Sequence, residues 1–352
     1  MQQKPIVSIV IPCLNEKDTI ARVLDDVFKN CLKYFGKNYE IIVADNGSTD
    51  GSLDIINRIK GITVVNVPIR GYGAALHWGI MKAASENIIY ADADGSYPFS
   101  NLSKFKKEID KANDLVLGSR MKGKIEKNAM PFLHRYIGTP ILTFLIKIIY
   151  KIPTTDCNSG MRMIKKDFYK KLNMKSSGME WASELLLKTA LVRGRYLEVP
   201  IRFLKDKRQK NPHLNTWADG WRHLKSILFL KPNVFVYLMF LFMLLSLLSY
   251  PASFGFLSLF ILLFVTTLYS YLALIFLTFA TDKKSNQISI ILNNNYLVPV
   301  VIVFILLSFL IIYFLPDFHL GTKMLLAAVI SMTIIWVFMI ETIKTHLINR
   351  LP

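Results

Sequence analysis

Two carboxylates one residue apart, Asp92 and Asp94 in Ala91-Asp92-Ala93-Asp94-Gly95, follow the apolar run Ile88 to Ala91. In an extended segment residues i and i+2 point the same way, so the pair can offer oxygen ligands to one hard cation, Mg2+ or Mn2+. A cation held there clamps a diphosphate and stabilises its charge as it leaves. The plainer alternative is a solvated turn that caps the next helix.

Two further polar groups follow apolar runs: Pro12-Cys13-Leu14-Asn15-Glu16 and Asp45-Asn46-Gly47-Ser48-Thr49-Asp50. Their carboxylates and amides suit hydrogen bonding to a base and ribose, although Asn15 and Asp50 would serve equally as helix caps. Asp45, directly at its strand end, points to function. Arg70-Gly71-Tyr72-Gly73-Ala74-Ala75 forms a cationic turn opening a helix, where Gly71 and Gly73 would bring backbone N–H groups to phosphate oxygens. It lacks the spacing of a P-loop and of the dinucleotide fingerprint, which sets P-loop ATP hydrolysis and hydride transfer aside.

These groups need a scaffold that brings strand ends together. Short β-branched runs at Ile6 to Ile11, Glu40 to Ala44, Ile62 to Val67, Ile88 to Ala91 and Leu115 to Leu117 alternate with amphipathic stretches near 17 to 34, 52 to 59, 73 to 85 and 100 to 111. That alternation predicts an α/β fold, an open twisted sheet with ligands at the carboxyl ends of its strands. Residues 121 to 130 carry charge and glycine without an apolar period and read as a mobile loop.

Beyond that region the composition changes. No Asp, Glu, Lys or Arg occurs from Pro232 to Thr281, and further uncharged runs span Ile288 to Leu315 and begin again at Met324. Four transmembrane helices fit: two in the first run, then Tyr296 to Leu315 and Met324 to Ile343. Lys283, Lys284, Lys344 and Arg350 fall on one side and Lys323 on the other, so the positive-inside rule places residues 1–230 in the cytoplasm and makes 231–352 a membrane domain. Ile137 to Ile152 is apolar but short and interrupted by Pro140 and Lys147, which predicts an interfacial helix. So does 215–230, where Trp217, Trp221, Leu224, Leu228 and Phe229 interleave with Arg222, His223 and Lys225. A core helix of the soluble domain is the alternative there.

The formal net charge is +18, and nearly all of the excess precedes Lys231. Beside membrane helices such charge favours anionic lipid and phosphorylated substrates over nucleic acid, for which the chain has no aromatic-basic module or zinc spacing. Cys13, Cys31 and Cys157 are too scattered for a metal site or a redox pair and read as free thiols.

The ordered set PCLNE, DNGSTDGS, RGYGAA, DADGSYP and GSR resembles the family 2 glycosyltransferases of GT-A fold over roughly residues 5 to 230. SGMR, VPIRF and NPHLNTWADGWRHLK, followed by the apolar runs, are similar to the polyprenyl-phosphate branch, the dolichol-phosphate mannose and glucose synthases and their bacterial relatives. The resemblance implies that Pro12, Asn15, Glu16 and Asp45 surround the nucleotide and that Asp92 and Asp94 hold the metal. It further implies that Arg120 and Arg162 face the phosphates of donor and acceptor, and that a basic segment at Lys205 to Lys210, Arg208 first, binds the diphosphate. Here Gln209-Lys210-Asn211-Pro212 stands where relatives often carry R-x-x-G-x-S-K.

The implied reaction is inverting transfer of a hexose from a nucleotide-diphosphate sugar to a polyprenyl phosphate. A phosphate acceptor is already anionic near neutral pH, so positioning and charge screening carry the catalysis and no strong base is needed. Glu180 and Glu184, one helical turn apart, either orient sugar or acceptor or form a solvated face; Glu184 is the candidate. A processive polysaccharide synthase shares the metal motif, but its Q-x-x-R-W signature is absent. A non-catalytic lipid-binding or flippase subunit is a third reading, opposed by the intact acidic pair. Homo-oligomer formation stays open.

Overall fold

The structure, a computed structural model, describes residues 4–208 and 216–230. Within them seven strands form one sheet: β1 (Val7–Cys13), β2 (Tyr39–Asp45), β3 (Ile62–Asn66), β4 (Asn87–Tyr90), β5 (Leu115–Ile125), β6 (Arg162–Lys165) and β7 (Tyr196–Phe203). Among the described residues eight α-helices accompany them: α1 (Ile20–Phe35), α2 (Ser52–Asn57), α3 (Tyr72–Lys82), α4 (Leu102–Lys106), α5 (Thr139–Tyr150), α6 (Lys166–Leu172), α7 (Trp181–Leu191) and α8 (Thr216–Phe229).

The sheet order is β3-β2-β1-β4-β6-β5-β7, parallel except for β6, which runs antiparallel to both neighbours. From β1 the chain winds outward through β2 to β3, then returns to lay β4 on the other side of β1. The carboxyl ends of β1 and β4 therefore flank a topological switch point, where an open α/β sheet leaves a crevice for ligands.

Period-two alternation sets the two layers. Val7, Ile9 and Ile11 of β1 face one apolar layer with Ile20, Leu24 and Val27 of α1 and Phe105 of α4. Val10 and Ile42 face the other, with Leu76 and Ile80 of α3, Leu185 of α7 and Ile227 of α8. Because both faces are covered, β1 is buried along its whole length and reads as an apolar run interrupted by Ser8. In α1 the buried Ile20, Val23, Leu24, Val27 and Cys31 keep the helical period, and the helix stops at Gly36 with φ 61°.

The five expected strands and the helices between them are present. The mobile loop expected at 121 to 130 is corrected in its first half: β5 continues to Ile125, with Lys124 opposite Arg202 and Ile125 opposite Phe203 of β7. Exposed charges hid this extension, since the outer half of an edge ladder needs no apolar period. Strands β6 and β7 also lie outside the expected set.

α5 forms where a short apolar helix was expected, entered through a single π-helical turn at His134–Gly138. Its inner side buries Leu142, Ile146 and Tyr150, and the Tyr150 hydroxyl donates to the Ile227 carbonyl of α8 at 2.7 Å. Ile137, Ile141, Phe144 and Ile148 form a stripe on its outer side, each more than two-fifths exposed, joined by Phe132 and Tyr136. Among the described residues no helix is long and apolar enough to cross a membrane. The four spans expected after Lys231 lie outside the described residues.

Candidate active site at the carboxyl edge of the sheet

β1 ends with Pro12 opposite Ala44 and Cys13 opposite Asp45 of β2, so the two polar groups predicted for a nucleotide meet at one edge. Asn15 adopts φ 56°, its backbone N–H donates to the Ser48 hydroxyl at 2.9 Å, and its side-chain carbonyl accepts from the Thr49 N–H at 2.7 Å. Asp45 accepts from the N–H groups of Gly47 and Ser48, both at 3.1 Å, which tightens the turn after β2.

Beyond β4 the chain bends at Asp92 and Asp94. The Tyr72 hydroxyl donates to Asp92 Oδ1 at 2.8 Å, and Gly160 lies so close that a Cβ there would stand 2.2 Å from Asp92 Oδ2. Burial and the neighbouring Asp94 charge push the Asp92 carboxyl up to about 7. Asp94 Oδ1 accepts from the Ser96 N–H at 2.8 Å and its hydroxyl at 2.6 Å.

The segment after β7 runs back over this acidic edge. Leu204 N–H donates to the Ser96 carbonyl and Lys207 N–H to the Asp94 carbonyl, at 2.8 and 3.1 Å. Arg208 then places its guanidinium among Asp206 at 2.6 Å, Glu16 at 3.2 Å and Asp94 at 3.3 Å. Arg208 thus bridges residues that follow β1 and β4.

Four predicted residues do something else. Arg162 is fully buried; its guanidinium donates to the carbonyls of Ser159 (3.0 Å), Ala182 (2.7 Å) and Cys157 (2.9 Å), so it ties β6 to α7 and does not face a ligand. Glu184 is buried too, accepting from the backbone N–H groups of Lys175 and Ser176 at 2.9 and 2.7 Å and pairing with Lys188. It braces the loop before α7 and does not orient a substrate. The Gly71 N–H is already engaged by the Asn46 side chain at 2.7 Å, while a Cβ on Gly71 or Gly73 would strike the Ser176–Ser177 backbone or Trp181. Those glycines admit the 175–181 loop against α3, and the Gly71 N–H is spent on Asn46 rather than left for phosphate.

Arg120, at the inner half of β5, lies against Asp156: Nε and Nη2 donate to its two oxygens at 2.7 Å each. The guanidinium also covers the Phe203 ring at 5.1 Å. It lines a cavity of about 450 Å³ whose inner end holds Asp92, Tyr72 and Gly160. The walls are apolar, from Leu133, Leu142, Met179 and Leu224, and the outer rim reaches Ile137, Ile141 and Trp221, all exposed. One passage therefore joins the acidic edge to the exposed apolar stripe of α5. Sequence reasoning missed this cavity because its lining comes from seven separate stretches of the chain.

His223 of α8 also lines the cavity, with Nδ1 2.7 Å from the Ser183 hydroxyl. Burial, then the charges of Arg162 on β6 and Arg222 on α8, lower its pKa to about 4; Asp219 is paired to Arg222. Protons bind the unfolded imidazole near pH 6.5 and the folded one only near 4, so stability is complete above about 6.5 and falls as pH drops between those values, by about 3 kcal/mol in all. Thermal unfolding from pH 7.5 to 4.5 should show a steeper loss for the natural chain than for His223→Gln. Equal slopes would contradict the assignment.

Residues 8–172 match the model of "Glycosyl transferase family 2". The low-salt glycan biosynthesis hexosyltransferase Agl6 of Haloferax volcanii is 32% identical over 65% of this chain and 54% of its own, so the chain spans little more than half the length of that relative. The dolichyl-phosphate beta-glucosyltransferase ALG5D of Trichomonas vaginalis is 26% identical over 50% of this chain and 58% of its own. Among solved structures, glucosyl-3-phosphoglycerate synthase from Mycobacterium tuberculosis, in complex with Mn2+, UDP and phosphoglyceric acid, superposes with a TM-score of 0.50 at 18% identity, covering 63% of this chain and 77% of that one. That likeness shows the fold, a GT-A-like mixed sheet.

Proposed function

The chain belongs to glycosyl transferase family 2, and we propose that it transfers a hexose from a nucleotide-diphosphate sugar to a polyprenyl phosphate at a membrane surface. The observation that carries the acceptor is the apolar cavity, which opens beside an exposed apolar stripe and ends at Arg120 and Asp92. An aliphatic chain with one anionic end matches both its walls and its floor. A water-soluble acceptor would have no use for the stripe. The dolichyl-phosphate relative supports the same class of acceptor.

In this reading Pro12, Asn15, Glu16 and Asp45 hold the nucleotide at the ends of β1 and β2, and Arg208 moves from its carboxylate partners toward the diphosphate. Asp92 and Asp94 fit a divalent cation: they are recessed, adjacent carboxylates with no third acidic, His or Cys partner grouped with them among the described residues. Mg2+ or Mn2+ commonly takes such a pair together with substrate phosphates. The bound Mn2+ and UDP of the mycobacterial synthase support that choice. A cation there would supply charge neutralisation at the leaving diphosphate.

The chain's own part is positional. Arg120 draws the acceptor phosphate to the inner end of the cavity, and the cavity walls exclude water from the anomeric carbon. Attack by the phosphate oxygen breaks the bond to the nucleoside diphosphate, forms the new glycosyl–phosphate bond and inverts the anomeric centre. No proton needs removal. Helix α5 would lie on the headgroups, with the membrane domain at 231–352 and the catalytic domain on the cytoplasmic side.

The test supplies the purified full chain with Mg2+ or Mn2+, a panel of UDP- and GDP-sugars, and undecaprenyl or dolichyl phosphate. The expected products are one lipid-linked hexose and free nucleoside diphosphate. No lipid product with any donor would sink the reading, and long polymer would favour a processive synthase.

A further inference from the structure

Resting on that reading, we propose that Asp156 is the positioning residue that makes Arg120 a fixed phosphate receptor, and that β7 holds Asp156 in register through Glu198. Arg120 is the guanidinium on the cavity wall, and a guanidinium on a long side chain has many rotamers. Here it has one. Asp156, fully buried, accepts from Arg120 three times: from the backbone N–H at 2.9 Å and Nε at 2.7 Å through Oδ2, and from Nη2 at 2.7 Å through Oδ1. The Phe203 ring backs the guanidinium plane. This fork leaves the remaining N–H donors on the edge away from Asp156, free to meet phosphate oxygens in their own plane.

A buried carboxylate is an unreliable clamp unless its own backbone is fixed, and Glu198 supplies that fixing. It accepts from the Thr155 N–H and hydroxyl at 2.7 Å each, the Thr154 hydroxyl at 3.0 Å and the Tyr196 hydroxyl at 2.6 Å, and pairs with Lys122 at 2.9 Å. These partners hold the Glu198 carboxyl below the usual carboxylate range even though burial opposes it. The Thr155 hydroxyl also meets the Ser119 hydroxyl at 2.7 Å. Consecutive residues of β5, Ser119 and Arg120, are therefore joined to consecutive residues of the facing loop, Thr155 and Asp156. The cross-brace fixes both the position and the plane of the guanidinium.

The pairing has a second consequence. Asp156 nearly cancels the Arg120 charge, so the pair attracts an anion by directed hydrogen bonds more than by field. That geometry selects for a phosphate end correctly oriented at the cavity floor and against any carboxylate or headgroup that merely enters.

The test measures binding of farnesyl phosphate, a short polyprenyl phosphate, to the full chain in detergent by calorimetry, beside binding of UDP and GDP in Mg2+. Asp156→Asn places an amide N–H or a lone carbonyl where two acceptors are needed. It should weaken farnesyl phosphate binding about tenfold or more and leave the nucleotide within about twofold. Arg120→Lys should weaken it similarly, and the double variant should be little worse than either single one, because Asp156 acts through Arg120. Asp156→Glu keeps the charge with a longer reach and serves if the amide variant fails to fold; it too should lose farnesyl phosphate selectively. Unchanged farnesyl phosphate binding in the Asp156 variants, additive losses in the double variant, or equal loss of nucleotide and lipid would each overturn the positioning role alone. Failure of the natural chain to bind farnesyl phosphate while binding nucleotide would overturn the lipid-phosphate reading, and the positioning role with it.

Discussion

Gly160→Ala is expected to lower sugar transfer about a hundredfold or more while the domain stays folded. A Cβ at position 160 would stand 2.2 Å from Asp92 Oδ2, 2.9 Å from its Cγ and 3.1 Å from Oδ1, so one of the two residues has to shift. Neither has an easy retreat. The Gly160 N–H is held by the Tyr97 hydroxyl at 2.7 Å, and Tyr97 is buried against Phe203. Asp92 is held from its other side by Tyr72. The softer element is the carboxylate, whose side chain can rotate out of the Tyr72 hydrogen bond and so leave its place beside Asp94. Overpacking of this kind costs about 1–3 kcal/mol, which a domain of this size tolerates, whereas displacement of the reacting centre by even an ångström is severe for rate. Transfer rate and thermal unfolding measured on the same preparation separate the two. A variant with near-natural rate would show that Asp92 is not where the chemistry happens.

The clash also marks the limit of what the sequence disclosed. Asp92 and Asp94 were legible because a strand end fixes their spacing, and parallel strands must bring their carboxyl ends to one edge. Asn15, Glu16 and Asp45 follow from the same rule. Motifs alone could not tell a residue that faces the ligand from one that holds the frame. Arg162 sits three residues beyond Ser159 in a motif that resembles a phosphate binder, yet it is fully buried and each of its three nitrogens donates to a backbone carbonyl. Glu184 has the helical spacing of an orienting group and instead caps two backbone N–H groups. Burial decides such cases, and burial depends on partners far away in sequence. The same holds for Asp156, which nothing in its local sequence sets apart, and for the cavity, which exists only once α5, α7 and α8 pack together. The antiparallel β6 was hidden for a simpler reason: its two apolar residues, Met163 and Ile164, stand between Arg162 and Lys165 and form no apolar run like that of β4.

Asp94→Asn should cut transfer about a thousandfold without destabilising the domain, and the second half of that expectation is the sharper one. Asp94 is mostly shielded from solvent, and its charge is met by Arg208 at 3.3 Å and by the N–H and hydroxyl of Ser96. An asparagine carbonyl can keep both Ser96 bonds. Its amide then faces Arg208 donor to donor, which loosens the guanidinium from this corner while Asp206 at 2.6 Å retains it. A recessed negative charge next to Asp92 has been removed, and with it a repulsion and a desolvation cost. Unfolding temperature should therefore stay level or rise. A residue kept for structure gives the opposite sign, as breaking the buried Arg120–Asp156 pair would. Loss of rate with retained or increased stability is the signature of a group whose charge serves the ligand at the expense of the fold. Titration with Mn2+ should show weaker binding in the same variant, both alone and with nucleoside diphosphate. A natural rate would remove Asp94 from the metal site, and a large drop in unfolding temperature would make it a structural carboxylate whose conformation, not its charge, the reaction needs.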